Sequence, residues 1–353
     1  MSNPFSVSLG KVPASFIKRE DVFHTIVESF EAEDLANQTY VLTGVRGSGK
    51  TVVLSALAKY FSNKKEWIVI DISTEENILH VLVGELALRL GKKNHSLSVN
   101  ASVNLGPLSS GVAGEQSDIA LSDSTLLDGL LQEVAKRKKR LLVTLDEVHN
   151  DASMRAFTQT YKNMLRKDYP VFLLMTGLYE NVHSLEQESS MTFLFRAPKI
   201  DMNPLDPRLV SQSYAEVFHL ELTQAIPLAR FTKGYALAYQ ILGSLLFESG
   251  KTAIDDKIID DFDSKIINLA YRIIYKELSE KEKRILNAMA ACPSSSVADV
   301  LKALQMKASE FAPYRSRLIE KGILVSAQRG TIDFALPRFR EFVYFYFVLL
   351  EQI

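Results

Sequence analysis

Cysteine is almost absent: Cys292 is the only one in 353 residues. A single thiol excludes an internal disulfide framework and fits a reducing compartment, so a cytoplasmic protein is expected. One thiol and six scattered histidines give no ligand spacing for a zinc site. Long apolar runs are missing too. The longest, 342–350, has nine residues, against the roughly 20 that a membrane-spanning helix needs. It reads as a buried terminal helix, and no membrane partner is expected. Residues 1–16 contain no basic stretch leading into an apolar one, which argues against a secretory signal. Excess charge is lacking as well. The formal net charge is -1, so binding to nucleic acid or acidic lipid would have to rest on a local patch.

What is present is ordinary globular material, 47% hydrophobic and 24% charged, in a chain long enough for two or three domains. Over 38–202, short β-branched runs alternate with amphipathic stretches, the pattern of a parallel sheet covered by helices. Strands are predicted at 39–42, 67–70, 141–145 and 171–175, with a short fifth near 199–202. Helices are predicted at 50–61, 78–90, 125–138 and 153–167. Most of these strands are continuously apolar, as strands buried on both faces are.

Helical patterns then follow one another at 208–219, 222–231, 235–247 and 258–275. Beyond them, helices at 280–290, 297–304 and 310–321 precede short strands at 323–326 and 331–335 around a turn at 328–330. The predicted fold class is therefore α/β. A three-layer P-loop NTPase core (1–203) is followed by a helical lid subdomain (204–275) and a winged helix-turn-helix domain (276–353). Residues 92–120 fit none of these. Leu97, Val99, Ala101, Val103 and Leu105 alternate with polar residues, the period of a strand, but a surface insertion accounts for the Ser/Asn/Gly-rich composition equally well.

Chemistry enters at Gly44-Val45-Arg46-Gly47-Ser48-Gly49-Lys50-Thr51, a full match to the phosphate-loop pattern G-x-x-x-x-G-K-[ST] between a strand and a helix. The glycines let the backbone close around a phosphate. Amides from Gly47 to Thr51 then converge at a helix start whose dipole favours anions. Lys50 reaches the outer phosphates and the Thr51 hydroxyl binds magnesium. The apolar strand 141–145 ends in Asp146-Glu147, which places two carboxylates at the carboxyl edge of a parallel sheet. Asp146 is expected to hold the magnesium shell, and Glu147 to orient or deprotonate the attacking water. Thr176, ending the strand 171–175, is a candidate γ-phosphate sensor or a simple turn hydroxyl. Arg196 is a candidate for stabilising transition-state charge, in its own subunit or a neighbour's, or else a surface ion pair.

This order of phosphate loop, Asp146-Glu147, polar strand end, lid and winged helix resembles the AAA+ superfamily, in particular archaeal initiator-type ATPases and STAND-type ATPases. The resemblance implies ATP rather than another nucleotide. Phe16-Ile17-Lys18-Arg19-Glu20 resembles the family's F-[VI]-G-R-E box, with Lys18 in place of glycine, and implies a nucleotide contact at Arg19. Phe231-Thr232-Lys233-Gly234-Tyr235-Ala236 occupies the place of the lid's Gly-x-Pro motif, with Ala236 in place of proline. The lid also lacks the arginine with which many relatives touch the γ phosphate, which favours a slow nucleotide switch over a fast motor.

Residues 307–340 hold seven basic side chains against three acidic ones. In a winged helix the third helix enters the major groove and the hairpin reaches the backbone. Tyr314, Arg315 and Arg317 would then face double-stranded DNA and Arg329 would tip the wing. Winged helices also bind proteins. Three functions stay open: an ATPase acting on DNA, an ATP-dependent switch that controls a protein partner or self-association, and a nucleotide-binding scaffold without turnover.

Overall fold

The protein was analysed as a computed structural model that describes residues 2–7, 12–33, 37–92, 122–188, 192–292, 294–326 and 328–349. The alternating segment expected within 92–120 lies, from residue 93 onward, outside the described residues. The chain divides into two compact units. One comprises Asp21–Leu42 and Leu54–Ile200, the other Met1–Glu20, Thr43–Val53 and Asp201–Ile353.

The first unit is built on a parallel five-stranded sheet of order β2-β3-β4-β1-β5. Its strands are β1 (Thr39–Thr43), β2 (Trp67–Ser73), β3 (Arg140–Asp146), β4 (Val171–Gly177) and β5 (Lys199–Asp201). Strand residues alternate between faces, and here both faces are buried. Ile68, Ile70 and Ile72 of β2 share one face with Leu141, Val143 and Leu145 of β3 and Val171, Leu173 and Met175 of β4. Helices α3 (Ile78–Arg89), α4 (Asp123–Lys136) and α5 (Ala152–Arg166) cover it through Leu82, Leu130 and Phe157, all essentially solvent-free.

The opposite face is aromatic. Tyr40, Trp67 and Phe172 meet Phe30 of α1 (Glu20–Glu31) and Phe61 of α2 (Lys50–Ser62), with ring centroids 4.4 Å apart for Phe61–Trp67 and 5.0 Å for Phe30–Phe172. Such pairs add about 0.5–1.5 kcal/mol each beyond burial. The basic run at 136–140 ends α4 and opens β3, where Arg140 donates to the Phe30 carbonyl at 2.5 Å. Short helices α6 (Tyr179–Gln187) and α7 (Thr192–Arg196) precede β5.

The second unit carries helices α8 (Pro207–Phe218), α9 (Leu222–Thr232) and α10 (Ala236–Ser249). A long rod follows, made of α11 (Asp256–Ile266), a π turn (Ile267–Tyr271) and α12 (Arg272–Lys276). Phe5 is pinned between Tyr214, Phe218 and Tyr239, and its ring occupies the space that a Cβ at Gly243 would need. Next come α13 (Glu280–Ala291), α14 (Val297–Leu304) and α15 (Ala308–Glu320). An antiparallel pair, β6 (Leu324–Val325) and β7 (Asp333–Phe334), then leads to α16 (Phe339–Tyr344). A bridge between Ser296 and Thr331 adds a third short edge to that pair. Glu282, 1% exposed, closes the capping box of α13 with Ser279 and pairs with Lys321 at 2.7 Å. Among the described residues no helix is long and apolar enough to cross a membrane.

Candidate nucleotide site

The phosphate loop sits in the second unit. Gly44, Gly47 and Gly49 have φ of 151°, 81° and 94°, values that side chains resist. A Cβ on Gly47 would also collide with the Tyr235 ring, 2.9 Å from Cζ and 3.0 Å from the Leu237 Cβ. Lys50 is buried, and its ammonium donates to the carbonyls of Gly44 (2.9 Å) and Val45 (3.1 Å). Thr51 lies half-buried in the first turn of α2. Ser48 is buried with its hydroxyl unpartnered. Arg19 donates to the Ser48 carbonyl at 3.1 Å and to the Asn203 carbonyl, so the residue expected to touch nucleotide braces the loop backbone.

The lid grips the same loop. Tyr235 Oη donates to the Arg46 carbonyl at 2.5 Å, and the Leu237 N–H donates to the Gly47 carbonyl at 3.0 Å. On the far side of the loop, a Cβ at Gly322, just after α15, would lie 3.5 Å from the Val45 Cβ.

The carboxylate pair belongs to the first unit. Asp146 ends β3 half-buried, in register with Ser73 of β2. Thr176 is fully buried at the end of β4, donates to Asp146 Oδ1 and accepts the Glu147 N–H at 2.9 Å. Thr74 donates to the Asp146 carbonyl at 3.2 Å. Glu147 is exposed and left-handed, with φ 52°. For a non-glycine residue that conformation costs of order 1–3 kcal/mol and clusters at functional sites. Thr176, the candidate phosphate sensor or turn hydroxyl, thus bonds both members of the acidic pair. His149 and Arg196 are exposed.

Residues 15–174 match the sequence profile of an AAA ATPase domain. Residues 269–343 match a family described only as a domain of unknown function, DUF8462. No curated protein matches by sequence. In structure the chain is similar to a Walker-type ATPase of Pyrococcus abyssi (TM-score 0.62, 15% identity, covering 93% of this chain and 96% of that one). It is also similar to the Aeropyrum pernix ORC2 protein in its ADPNP-ADP complexes (TM-score 0.59, 12% identity, 95% of each chain). The fold is that of an α/β P-loop NTPase, with an AAA ATPase domain profile over 15–174. At these identities the structural likeness is one of fold.

Among the described residues, no cluster of three or more His, Cys, Asp or Glu is arranged to hold a metal ion. The candidate magnesium donors are Asp146 in the first unit and the Thr51 hydroxyl in the second.

The C-terminal candidates divide. Arg317 and Arg329 are exposed, whereas Arg315 is half-buried, donates to Ser326 at 2.8 Å and braces α15 against the hairpin. Tyr314 lies beneath Lys281 and Arg317, with ring distances of 5.6 and 5.8 Å. Sequence reasoning missed Tyr235 and Gly322 as loop contacts. The Gly234-Tyr235 pair stood in a lid motif already singled out, but the group it meets is a backbone carbonyl, which no residue-type pattern reveals.

Proposed function

We propose that this chain is an ATP/ADP switch that binds ATP with magnesium at the phosphate loop, hydrolyses it slowly, and passes the result to its C-terminal module. One observation carries the reading. Within one compact unit, the lid holds the loop backbone through Tyr235 and Leu237, and the loop's Val45 side chain packs against the core that includes the C-terminal module, beside Gly322 after α15. An occupant that favours one arrangement of the loop thereby favours one arrangement of what grips it.

In this reading the amides of Gly47 to Thr51 and the Lys50 ammonium hold the phosphates, while Gly44 and Arg46 shape the loop and Arg19 steadies Ser48. Thr51 and Asp146 ligate magnesium, which when bound would offset charge on the outer phosphates. Glu147 orients the water, Thr176 holds Asp146 in place and Arg196 is kept for transition-state charge. A lone cysteine fits a reducing cytoplasm.

We assign the C-terminal module as a winged helix and its partner as a protein rather than DNA. Of the seven basic residues at 307–340, four are engaged inside the fold. Arg315 bonds Ser326, Lys321 pairs with Glu282, Arg338 pairs with Asp263, and Arg340 binds Asp333 and two carbonyls. Lys307, Arg317 and Arg329 remain exposed, a small footprint for a duplex. The switch reading is tested by calorimetry with ATP and ADP alongside phosphate release. Binding of both, with turnover that falls in Glu147→Gln, is expected; absence of nucleotide binding would overturn it.

A further inference from the structure

The contact between Tyr235 and the phosphate loop has a geometric consequence. A trans peptide is planar, with its C=O and N–H pointing in opposite directions. The Arg46 carbonyl shares a peptide with the Gly47 N–H, and the Gly47 carbonyl shares one with the Ser48 N–H. Tyr235 Oη holds the first carbonyl at 2.5 Å and the Leu237 N–H holds the second at 3.0 Å. Turning both carbonyls toward the lid turns the two amide hydrogens the other way, and the Ser48 N–H already donates to the Val45 carbonyl at 3.1 Å, so the amide that Tyr235 itself orients is that of Gly47.

We propose that Tyr235 is a positioning residue through which the lid sets the Gly47 amide for phosphate, a role that deepens the nucleotide reading above and rests on it.

The local chemistry is built for the contact. Tyr235 is 5% exposed, and burial raises its phenol well above the ordinary value, which keeps it protonated and able to donate. The Leu237 N–H lies in the first turn of α10, where helix amides have no partner inside the helix, so the Gly47 carbonyl meets a donor otherwise unsatisfied. Gly234, at φ 72°, delivers Tyr235, and no larger residue fits there. A Cβ would come within 2.6 Å of the Leu205 carbonyl oxygen and 2.9 Å of the Pro204 Cβ. At Gly47 the hydrogen side chain admits the phenol itself. Away from the loop, the Tyr235 ring stacks on Tyr271 at 6.5 Å, and Tyr271 meets Phe339 of α16 edge-on at 4.8 Å. The contact that sets the amide is thus packed against the C-terminal module.

The test compares the full-length chain with Tyr235→Phe, which keeps the ring and removes the donor. The orientation of the Gly47 N–H is read first without nucleotide, from its residual dipolar coupling. The expected result is a coupling changed at Gly47 with those of α10 unchanged. An unchanged Gly47 coupling overturns the proposal. Equal change throughout α10 also overturns it, because that is what a purely packing role would give. ADP affinity is measured next and is expected to weaken about 3- to 10-fold; wild-type affinity in the variant overturns the proposal. If the wild-type chain binds no ADP, the nucleotide reading fails, and the coupling arm still decides whether Tyr235 orients the Gly47 amide.

Discussion

The Thr176 hydroxyl donates to the Asp146 carboxylate and accepts the backbone N–H of Glu147. One fully buried oxygen at the end of β4 therefore fixes both acids that close β3. It sets the direction of the first carboxylate, and by holding the second residue's amide it supports a left-handed backbone.

Thr176→Val keeps the shape and removes those bonds. Stability is expected to fall by about 1–3 kcal/mol, because a buried carboxylate oxygen and an amide lose their partner. Phosphate release should fall more than ATP affinity does, since binding rests on the loop. Thermal melts with steady-state phosphate release check this. Wild-type turnover in a folded variant would reduce Thr176 to a turn hydroxyl.

Glu147 is an exposed side chain on a left-handed backbone. Glu147→Asn accepts the left-handed conformation more readily and should raise stability by about 0.5–1 kcal/mol while turnover collapses. Glu147→Gln should lose turnover without the gain in stability. Denaturant melts of both variants beside phosphate release separate strain from chemistry.

Lys50→Ala removes a buried ammonium whose bonds in the loop go to the carbonyls of Gly44 and Val45. Those bonds are local to the loop, so the fold should persist. ATP affinity is expected to drop by about 10- to 100-fold, the range for a charge-assisted hydrogen bond. Calorimetry reads it directly, and at a given ATP concentration the melting temperature of wild type should rise more than that of the variant.

Much of this was legible in the sequence because it is periodic or local. The apolar strands, the loop glycines and the acids after β3 declare themselves through spacing. Helix α1, which was not predicted, carries the same kind of signal, with Val22, Phe23, Ile26 and Phe30 on one buried face. Other features are long-range. Tyr235 meets a backbone carbonyl 189 residues away. Counting charge at 307–340 gave Lys321, Arg338 and Arg340 the weight of solvent-facing cations, although each has an internal acid. A composition records how many charges there are and not which are already paired.

The Glu282–Lys321 pair gives a pH dependence with a definite sign. Burial pushes the Glu282 carboxyl up, but hydrogen bonds from Lys321 and Ser279 outweigh it, and its pKa is held below the ordinary glutamate value. A depressed carboxylate pKa stabilises the folded state above the unfolded value near 4.5, and that stability is lost as pH falls through the folded value. Acid unfolding should therefore steepen below about pH 4.5. Glu282→Gln should flatten that limb and cost about 3–5 kcal/mol at neutral pH, because Lys321 is left buried without its anion. Denaturant melts from pH 3 to 7 check both.

The partner of the C-terminal module is decided by salt. Each phosphate neutralised by a cation contributes about -0.9 to the slope of log affinity against log salt. With Arg315, Lys321, Arg338 and Arg340 engaged internally, Lys307, Arg317 and Arg329 are the exposed cations in this stretch. A protein-binding module is expected to bind duplex DNA weakly, with a slope near zero between 50 and 200 mM salt and no response to Arg329→Ala. A slope of about -3, relaxed by about one unit in Arg329→Ala, would return the module to DNA and make the hairpin tip its phosphate contact.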